Sequence, residues 1–500
     1  MLRVIGVVSL VGVLTAAQGG VSAALADEAP GGLRGDLDRV LRDSRLRGAQ
    51  VGVVVRDVRS GRTLYSRNAG RRLKPASNNK MQTTAAALGL LGPDYRFRTR
   101  VYEAGGRLYL EGTGDTTMRV QEYRWLAAQV AKTGVRSVTG LVADDTWFDR
   151  RRIPSDWFAA DLQYHFGSET SALTVAPDPM LNAGAVRVSV TPRGRGERVR
   201  VRLTPRTGVM KIRNRAVTGR PGSARTLAVE RRPGNVLVIR GSLPAGRVGV
   251  QVLRSVQDPA LYAADVFQRA LRDRGVQVGG RPRHGSTPGG ARLLATRTSM
   301  PLSQLVVPLM KLSNNVMSET LIKAIGRKVR GRGSWEAGLP AATRYLRRLG
   351  VGVRMTDGSG LSHGNRTSAA QLATLLRNAR REPWFGAWRS SFPVAGRPGL
   401  TGGTLAGRMR GTAAAGNVRA KTGTINGVTA LSGYVTDARG RRLIFSILIN
   451  GHSGGKPSDI EDRIAIRLAS GRDVRLAPRS DGDLERSWTE AASRLVARER

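Results

Sequence analysis

Two polar residues, Ser77 and Lys80, stand just before an apolar run where their types and spacing allow chemistry. The run from Met81 to Leu91 is rich in Ala and Leu and stops at Gly92-Pro93, which predicts a helix. A spacing of three places both side chains on one face, about one turn apart. A lysine whose pKa is lowered by burial or nearby positive charge can take the serine proton, and a helix N-terminus favours the developing alkoxide. The pair predicts a serine nucleophile with a lysine base.

Ser-x-x-Lys alone is common by chance, since a serine cap and a solvated first-turn lysine give the same pattern. Two later stretches, Ser313-Asn314-Asn315 and Lys421-Thr422-Gly423-Thr424, change that balance. The first falls in a loop between two predicted helices, and the second reads as an edge strand, so both can direct polar groups into a cleft. The order S-x-x-K, S-x-N, K-T-G resembles the motif set of penicillin-binding proteins and class A β-lactamases.

The segments around these motifs predict the elements that must position them. Helical spacing at Asp36–Leu46 is followed by a strand at Val51–Val55 and its hairpin partner at Arg62–Ser66. Near the C-terminus, strands are predicted at 430–436 and 442–450, a helix at 365–379 and a closing helix at 460–469. The expected catalytic fold is therefore α/β (α+β), with an antiparallel sheet flanked by helices.

Between the first two motifs the sequence pattern predicts short strands separated by Gly-rich turns. Aromatic residues between 147 and 166 form either a small core or one wall of a substrate cleft. We predict the following organisation: a signal peptide (1–26), a catalytic domain (27–96 and 286–475), an inserted domain II (97–172 and 254–285), an inserted β-rich domain III (173–253) and a charged C-terminal tail (476–500) with a short amphipathic helix.

Composition limits the compartment and the partners. Arg3, the apolar run to Ala17 and Ala24-Leu25-Ala26 predict a secretory signal, cleaved or retained as an anchor. The chain has no cysteine and four scattered histidines, so we expect no disulfide, thiolate site, metal or cofactor. A net charge of +45 predicts attraction to anionic cell-wall polymers or membrane surfaces. Nucleic acid is the rival partner, but the arginines are dispersed and no nucleic-acid-binding motif accompanies them.

Together these motifs resemble the penicillin-recognising serine hydrolases, and among them the D-alanyl-D-alanine carboxypeptidases/endopeptidases (class C low-molecular-mass penicillin-binding proteins). The long separation of the first two motifs fits the two domains inserted there in that family. Asp357-Gly358-Ser359-Gly360-Leu361-Ser362 and the strands at 419–424 and 430–435 are also similar to family segments. The resemblance covers about residues 30–470 and is weak in 175–255.

The resemblance implies a role for each motif residue. Ser77 would be acylated after Lys80 takes its proton, and Ser313 would relay a proton to the leaving D-alanine. Asn315 would bind the substrate backbone. The Lys421-Thr422-Gly423-Thr424 strand would hold the terminal carboxylate, with the N–H groups of Ser77 and Thr424 as the oxyanion hole. Peptidoglycan stem peptides are then the substrates, β-lactams are covalent inhibitors, and the protein is secreted.

Two positions depart from the family pattern. Thr116 stands where proline is common, and His363 stands where an arginine often follows the Ser-Gly-Leu-Ser turn. In this family that arginine and an acid near Asp144 or Asp145 help to bind a diamino acid of the stem peptide. We therefore expect Asp144 and His363 to contribute to substrate binding, with an altered preference.

Two alternatives remain beside the DD-peptidase. One is a β-lactamase or esterase on the same fold, although no deacylating Glu loop of the class A type is recognisable. The other is a non-catalytic wall-binding protein, against which the intact Ser77, Lys80, Ser313 and Lys421 argue. Carboxypeptidase and endopeptidase preference, oligomeric state and the role of 173–253 are not determined by the sequence.

Overall fold

A computed structural model of the chain describes residues 32–452, 455 and 457–471. The predicted signal segment and tail helix lie outside the described residues. The first elements are α1 (Leu33–Val40), β1 (Gln50–Asp57), β2 (Thr63–Arg67), α2 (Asn79–Leu91), β3 (Arg98–Ala104), β4 (Arg107–Gly112), α3 (Val120–Lys132), β5 (Ser137–Val138) and β6 (Leu141–Asp144).

The middle of the chain is rich in strands. These elements are β7 (Ala185–Thr191), β8 (Arg200–Thr204), β9 (Lys211–Asn214), β10 (Val217–Gly219), β11 (Ala228–Arg232), β12 (Val236–Arg240), β13 (Ser242–Pro244), β14 (Val250–Ser255), α4 (Pro259–Arg272), β15 (Gln277–Val278), β16 (Arg283–His284) and β17 (Arg292–Thr298).

The last part returns to helices and three long strands. They are α5 (Leu302–Leu312), α6 (Asn315–Arg330), α7 (Trp335–Arg348), α8 (Ala369–Asn378), α9 (Phe385–Ser390), α10 (Gly399–Gly402), β18 (Arg419–Ile425), β19 (Val428–Thr436), β20 (Arg442–Asn450) and α11 (Ser458–Ser470). Short 3-10 helices occupy Ser44–Leu46, Ala76–Asn78, Ala159–Gln163, His165–Gly167, Ala379–Arg381 and Gly403–Leu405.

A five-stranded antiparallel sheet joins the two ends of the catalytic unit. Its order is β18-β19-β20-β1-β2, so the two N-terminal strands pair beside the C-terminal hairpin and β18 lies at the edge. Strand β20 is buried on both faces, which explains its nearly continuous apolar sequence. Ile444 and Leu448 pack into one core, while Phe445 and Ile447 pack into the other.

Helix α2 occupies the centre of the first core. It is buried around its whole circumference from Asn79 to Leu88, and α5, α6, α7 and α9 pack against it. A helix surrounded in this way carries apolar or small residues on every side, which accounts for its Ala- and Leu-rich sequence. Gly92, with a φ of +90°, ends it as predicted.

The inserted segment forms separate sheets. Strands β16-β6-β4-β3-β17 make a mixed sheet, while β14-β7-β8 and β11-β12-β9 make two smaller ones. Their apolar faces share one core with α3 and α4. Residues 292–298, predicted to belong to the catalytic domain, pair with β3 as the edge of the mixed sheet.

Two predicted helices are shorter than their sequence patterns. The 36–46 pattern divides into α1 and a separate 3-10 turn, because the Asp43 carboxylate accepts the Arg45 N–H and begins the turn anew. The 365–379 pattern begins only at α8, capped by Ser368. Asn365 uses its amide to bind Asp357 instead. No helix in the described part of the chain is long and apolar enough to cross a bilayer.

Candidate active site

The serine nucleophile predicted from the sequence lies in a tight turn at the start of α2. Ser77 belongs to the 3-10 helix Ala76–Asn78 and is half-buried, whereas Lys80 is fully buried one turn later. The Lys80 Nζ lies 2.9 Å from the Ser77 Oγ. Ala76 has a φ of +45°, a strained conformation that helps to present the next side chain. The predicted pairing of hydroxyl and amine is present.

Two acceptors orient the Lys80 amine. Its Nζ lies 2.7 Å from Asn315 Oδ1 and 2.8 Å from the Ser359 carbonyl oxygen. The Asn315 amide is itself oriented, since its Nδ2 donates to the Phe166 carbonyl at 2.8 Å. A neutral amine has two N–H donors and one lone pair. With both donors occupied, the lone pair is left for the Ser77 hydroxyl, which is the arrangement a general base needs.

Burial shifts the pKa of Lys80. Desolvation lowers its pKa to about 7, against the opposing negative charges of Asp357 and Glu319. A substantial fraction of the side chain is therefore neutral near physiological pH. The neutral form of an amine beside a serine hydroxyl can accept the hydroxyl proton without help from another base.

The second and third motifs meet beside this pair. The Lys421 Nζ lies 2.8 Å from the Ser313 Oγ, and it donates to the Thr422 carbonyl at the same distance. Ser313 ends α5 in the left-handed conformation, with a φ of +58°, while Asn314 caps α6. Burial, and then the charge of Lys80, lower the pKa of Lys421 well below its ordinary value. The three motifs therefore form one connected polar cluster.

Strand β18 packs directly against the nucleophile turn. A Cβ at Gly423 would lie 2.9 Å from the Pro75 carbonyl oxygen and 3.1 Å from the Ala76 Cβ. Glycine is required there because the two backbones approach closely. Thr422 and Thr424 face the cavity on either side of it, and the Thr422 hydroxyl donates to Thr404 at 2.8 Å.

A cavity of about 1100 Å³ opens above these groups. Its walls come from both the catalytic unit and the inserted strands, and Ser77, Ser313 and Asn315 lie in it. The aromatic residues predicted as either core or cleft divide between the two roles. Phe148 and Trp157 are buried, whereas Phe158 and Phe166 line the cavity.

The structure separates the two residues predicted to recognise the diamino acid. His363 lines the cavity, its Nδ1 3.1 Å from the Lys74 Nζ and its ring against Phe158. Asp144 does not line the cavity, contrary to the expectation from the sequence. It is buried at the end of β6, where Thr146 and Thr287 donate hydrogen bonds to its carboxylate oxygens. Asp161 lines the cavity instead. Burial lowers the pKa of His363, and the charge of Asp161 opposes that shift.

Glu319 was not identified from the sequence. It lies on α6, four residues after Asn315, and is fully buried. Its carboxylate accepts the N–H groups of Gly358 and Ser359, at 2.9 and 2.7 Å. The four-residue spacing from a motif asparagine was the signal available in the sequence.

Comparison with known proteins agrees with this geometry. The profile of the D-Ala-D-Ala carboxypeptidase 3 (S13) family matches residues 33–470. The chain belongs to this family. It is 46% identical to a D-alanyl-D-alanine carboxypeptidase of Actinomadura sp. (strain R39), over 94% of this chain and 93% of that protein. It is also 27% identical to DacB of Haemophilus influenzae, over 83% and 88% of the two chains.

The crystal structure of penicillin-binding protein 4 (dacB) from Haemophilus influenzae superimposes with a TM-score of 0.74. The match covers 86% of this chain and 98% of that one at 25% identity. The penicillin-recognising fold predicted from the motifs is thereby confirmed, and so is the placement among the D-alanyl-D-alanine carboxypeptidases. This S13 member is a serine-type D-Ala-D-Ala carboxypeptidase.

Proposed function

We propose that this S13 carboxypeptidase cleaves the terminal D-alanine from peptidoglycan stem peptides through an acyl-enzyme on Ser77. The observation that carries the proposal is the Lys80 amine, 2.9 Å from the Ser77 hydroxyl and with both N–H donors directed elsewhere. Ser77 Oγ attacks the carbonyl carbon between the two D-alanines while its proton passes to Lys80. The N–H groups of Ser77 and Thr424 would stabilise the oxyanion.

The leaving group and the second half of the reaction use the remaining motifs. When the C–N bond breaks, the proton taken up by Lys80 passes through Ser313, 2.8 Å from the Lys421 amine, to the departing amine, and Lys80 is neutral again. Lys80 then removes a proton from water as the water oxygen attacks the ester carbonyl. When the ester C–O bond breaks, Lys80 returns that proton to the Ser77 Oγ. The negative charge of the bound substrate carboxylate favours the protonated form of Lys421, which then supplies positive potential beside it. The Thr422 and Thr424 hydroxyls in the cavity wall bind the same carboxylate.

The same site would bind β-lactams and stem peptides. A penicillin-binding protein 4 from Haemophilus influenzae with the same fold has been crystallised with a β-lactam. A peptidoglycan substrate places the activity outside the cytoplasm, which agrees with the signal segment predicted for residues 1–26 and with cell-wall association. The net charge of +45 supports contact with anionic wall polymers or the membrane surface.

We also propose the division into a catalytic domain with two inserted domains. Two of the hydrophobic cores draw mainly on residues before Phe97 and after Leu302. A third consists of side chains between Val101 and Ala295. The pairing of β17 with β3 supports a second catalytic segment that begins near residue 299.

A labelled penicillin tests the proposed reaction. We expect one equivalent of label to attach to the intact protein, to be released slowly, and to be found by mass spectrometry on the peptide that contains Ser77. A pentapeptide ending in D-Ala-D-Ala should lose one D-alanine per turnover. Rapid release of hydrolysed drug would instead indicate a β-lactamase, and no uptake of label would indicate a non-catalytic protein.

A further inference from the structure

Positive charge is concentrated in one inserted segment. Residues 185–255 contain seventeen Lys and Arg but only two acidic residues, Glu197 and Glu230. This segment makes up about a seventh of the chain but holds about a third of its net charge. The concentration exceeds what the basic composition of the whole chain explains, so the surface of these strands should attract anions more strongly than the rest of the protein.

The sheet β14-β7-β8 presents one polar face. Alternate residues of β7, including Val188 and Val190, enter the core, so Arg187, Ser189 and Thr191 point to the other side. In the register of this sheet, Gln251 lies opposite Ser189 on one side and Arg202 lies opposite it on the other. Arg200 lies opposite Thr191. The face therefore carries hydroxyl, amide and guanidinium groups in adjacent rows.

This face continues from the wall of the catalytic cavity. Arg187, Gln251 and Leu253 line the cavity that contains Ser77. Neighbouring strands lie about 5 Å apart, so Arg202 on β8 lies about 5 Å beyond β7, which carries Arg187, and about 10 Å from Gln251 on β14. A ligand that fills the cavity and extends past β7 would reach Arg202 and then Arg200.

The two outer arginines are free to bind an anion. Both are exposed, and neither has a carboxylate partner among the described residues of the chain. By contrast, Arg187 already pairs with Asp178 at 3.3 Å. Guanidinium groups that project from one strand to the same side present paired N–H donors suited to carboxylates.

We propose that the β14-β7-β8 face is an extended subsite that binds the carboxylates of a second stem peptide in cross-linked peptidoglycan. The proposal rests on the function assigned to Ser77 above. A peptide is favoured over a separate anionic wall polymer because the face adjoins the catalytic cavity, so the groups that reach it belong to the molecule being cleaved. Stem peptides carry free carboxylates, whereas a single short peptide would end within the cavity.

The test compares two double variants of equal charge. Arg200→Gln/Arg202→Gln alters the proposed face, and Arg213→Gln/Arg215→Gln removes two exposed arginines at the end of β9, in another sheet of the same segment. We expect the first to lower kcat/KM for a cross-linked muropeptide dimer about 3- to 10-fold, the range for two exposed ion pairs. A short acyl-D-Ala-D-Ala peptide and penicillin labelling should be unaffected, and the second variant should match the unmodified protein.

Each other outcome overturns the subsite. Equal losses in both double variants would indicate only general electrostatic attraction, and unchanged dimer cleavage would exclude the face from substrate binding. Loss of poly(glycerol phosphate) binding without loss of dimer cleavage would assign the face to a wall polymer instead. If the unmodified protein neither takes up penicillin nor releases D-alanine, it is the proposed function that fails, and the two failures are thus distinguished.

A second inference concerns the buried Glu319. Both carboxylate oxygens are occupied by donors: Oε1 accepts the Ser359 N–H at 2.7 Å, and Oε2 accepts Gly358 N–H and Trp335 Nε1 at 2.9 and 2.8 Å. Burial and then the charge of Asp357 raise the pKa of this carboxyl to about 7. The three hydrogen bonds oppose that shift, because all three partners donate and so favour the ionised form. Ser359, held through its N–H, directs its own carbonyl to the Lys80 amine.

We infer that Glu319 is a positioning residue for the reaction, because it holds the Ser359 carbonyl that orients the Lys80 lone pair. The charged groups around that amine are Lys421 on β18, Glu319 on α6 and Asp357 in the loop. The two carboxylates raise the pKa of Lys80 against its burial, so Glu319 acts on the amine through its charge as well as through the loop.

The pH dependence of penicillin acylation provides the test. Lys80 must be neutral to act, and its pKa is about 7, so the rate should fall tenfold for each pH unit below that value. Burial and the charge of Asp357 raise the pKa of Glu319 to about 7, so its charge supports the protonated form of Lys80 mainly at and above that pH. In Glu319→Gln this charge is lost, and the acid limb should move to lower pH. The maximal rate should fall about tenfold, since the glutamine amide presents an N–H to a backbone donor.

Glu461→Gln is the matched control. Glu461 is also fully buried and pairs with Arg408 at 3.0 Å, away from the Lys80 cluster. Its replacement should lower the melting temperature but leave the acid limb in place. If Glu319→Gln lowers the melting temperature while its acid limb coincides with that of the unmodified protein, Glu319 has a structural role only.

Discussion

Replacing Lys80 with methionine is expected to slow the acylation of Ser77 by penicillin on the order of 10³-fold, within the range for loss of a general base. The amine is 2.9 Å from the Ser77 hydroxyl, and no other titratable side chain in the described part of the chain is hydrogen-bonded to that hydroxyl. The folded protein should persist, because Lys80 is fully buried and methionine fills a similar volume. Stopped-flow acylation and thermal unfolding measure the two effects.

Lys323→Met provides the control for this prediction. Lys323 is another fully buried lysine, which contacts the Trp335 ring and the Asp149 carboxylate rather than the cavity. Its loss should lower the melting temperature without slowing acylation. Acylation of Lys80→Met at more than a tenth of the normal rate would show that the lysine is not the base. A similar slowing in both variants would attribute the effect to damaged packing.

Gly360→Ala is expected to disable the site from the opposite side of the nucleophile turn. Gly360 has a φ of +86°, and a Cβ there would overlap the Ala76 carbonyl oxygen and lie 2.9 Å from the Asn79 Cβ. The turn that presents Ser77 must therefore move. A displacement of about 1 Å costs about 100-fold in rate, and the strained backbone adds about 1–3 kcal/mol of destabilisation. Penicillin acylation and urea unfolding measure the two losses.

Gly275→Ala separates backbone strain from the steric effect. Gly275 has a comparable φ of +76°, but nothing lies within 4 Å of an added Cβ. Its replacement should produce the loss of stability alone, with normal acylation. Normal acylation in Gly360→Ala would mean that the turn accommodates the methyl group without moving Ser77, and the tight contact would then have no catalytic importance.

Local pattern was sufficient for much of the fold. The apolar run after Lys80, which stops at Gly92-Pro93, correctly predicted helix α2. Short apolar stretches bounded by turn residues correctly predicted the strands β1, β19 and β20. These elements depend on the order of neighbouring residues and on which side chains are apolar, and both can be read from one short stretch of sequence. Boundaries were less well predicted where a side chain had a distant partner. Asn365, for example, binds Asp357 and does not begin α8.

The motif residues were also identified from type, order and spacing, although their roles remain proposals. Ser77 with Lys80 follows from the helical repeat, since the two are only three residues apart. The contact between Lys421 and Ser313 was expected only from the family resemblance. The two residues are 108 positions apart, and no helix or strand repeat relates residues at that separation. A family resemblance predicts such a contact only where this chain retains the family's motif residues. The expectation for Asp144 also came from the family resemblance, but in the structure Thr146 and Thr287 donate to its carboxylate away from the cavity.

The remaining features of the site arise only when the chain is folded. Lys80 reaches Asn315 across 235 residues and Ser359 across 279, and these contacts orient its amine. Its pKa near 7 results from burial by several elements, a quantity that no local stretch contains. The same holds for Glu319, for Asp161 beside His363 and for the basic face that adjoins the cavity. Residue types and short-range order specify which groups are available, whereas distances, desolvation and charge between remote segments depend on tertiary packing.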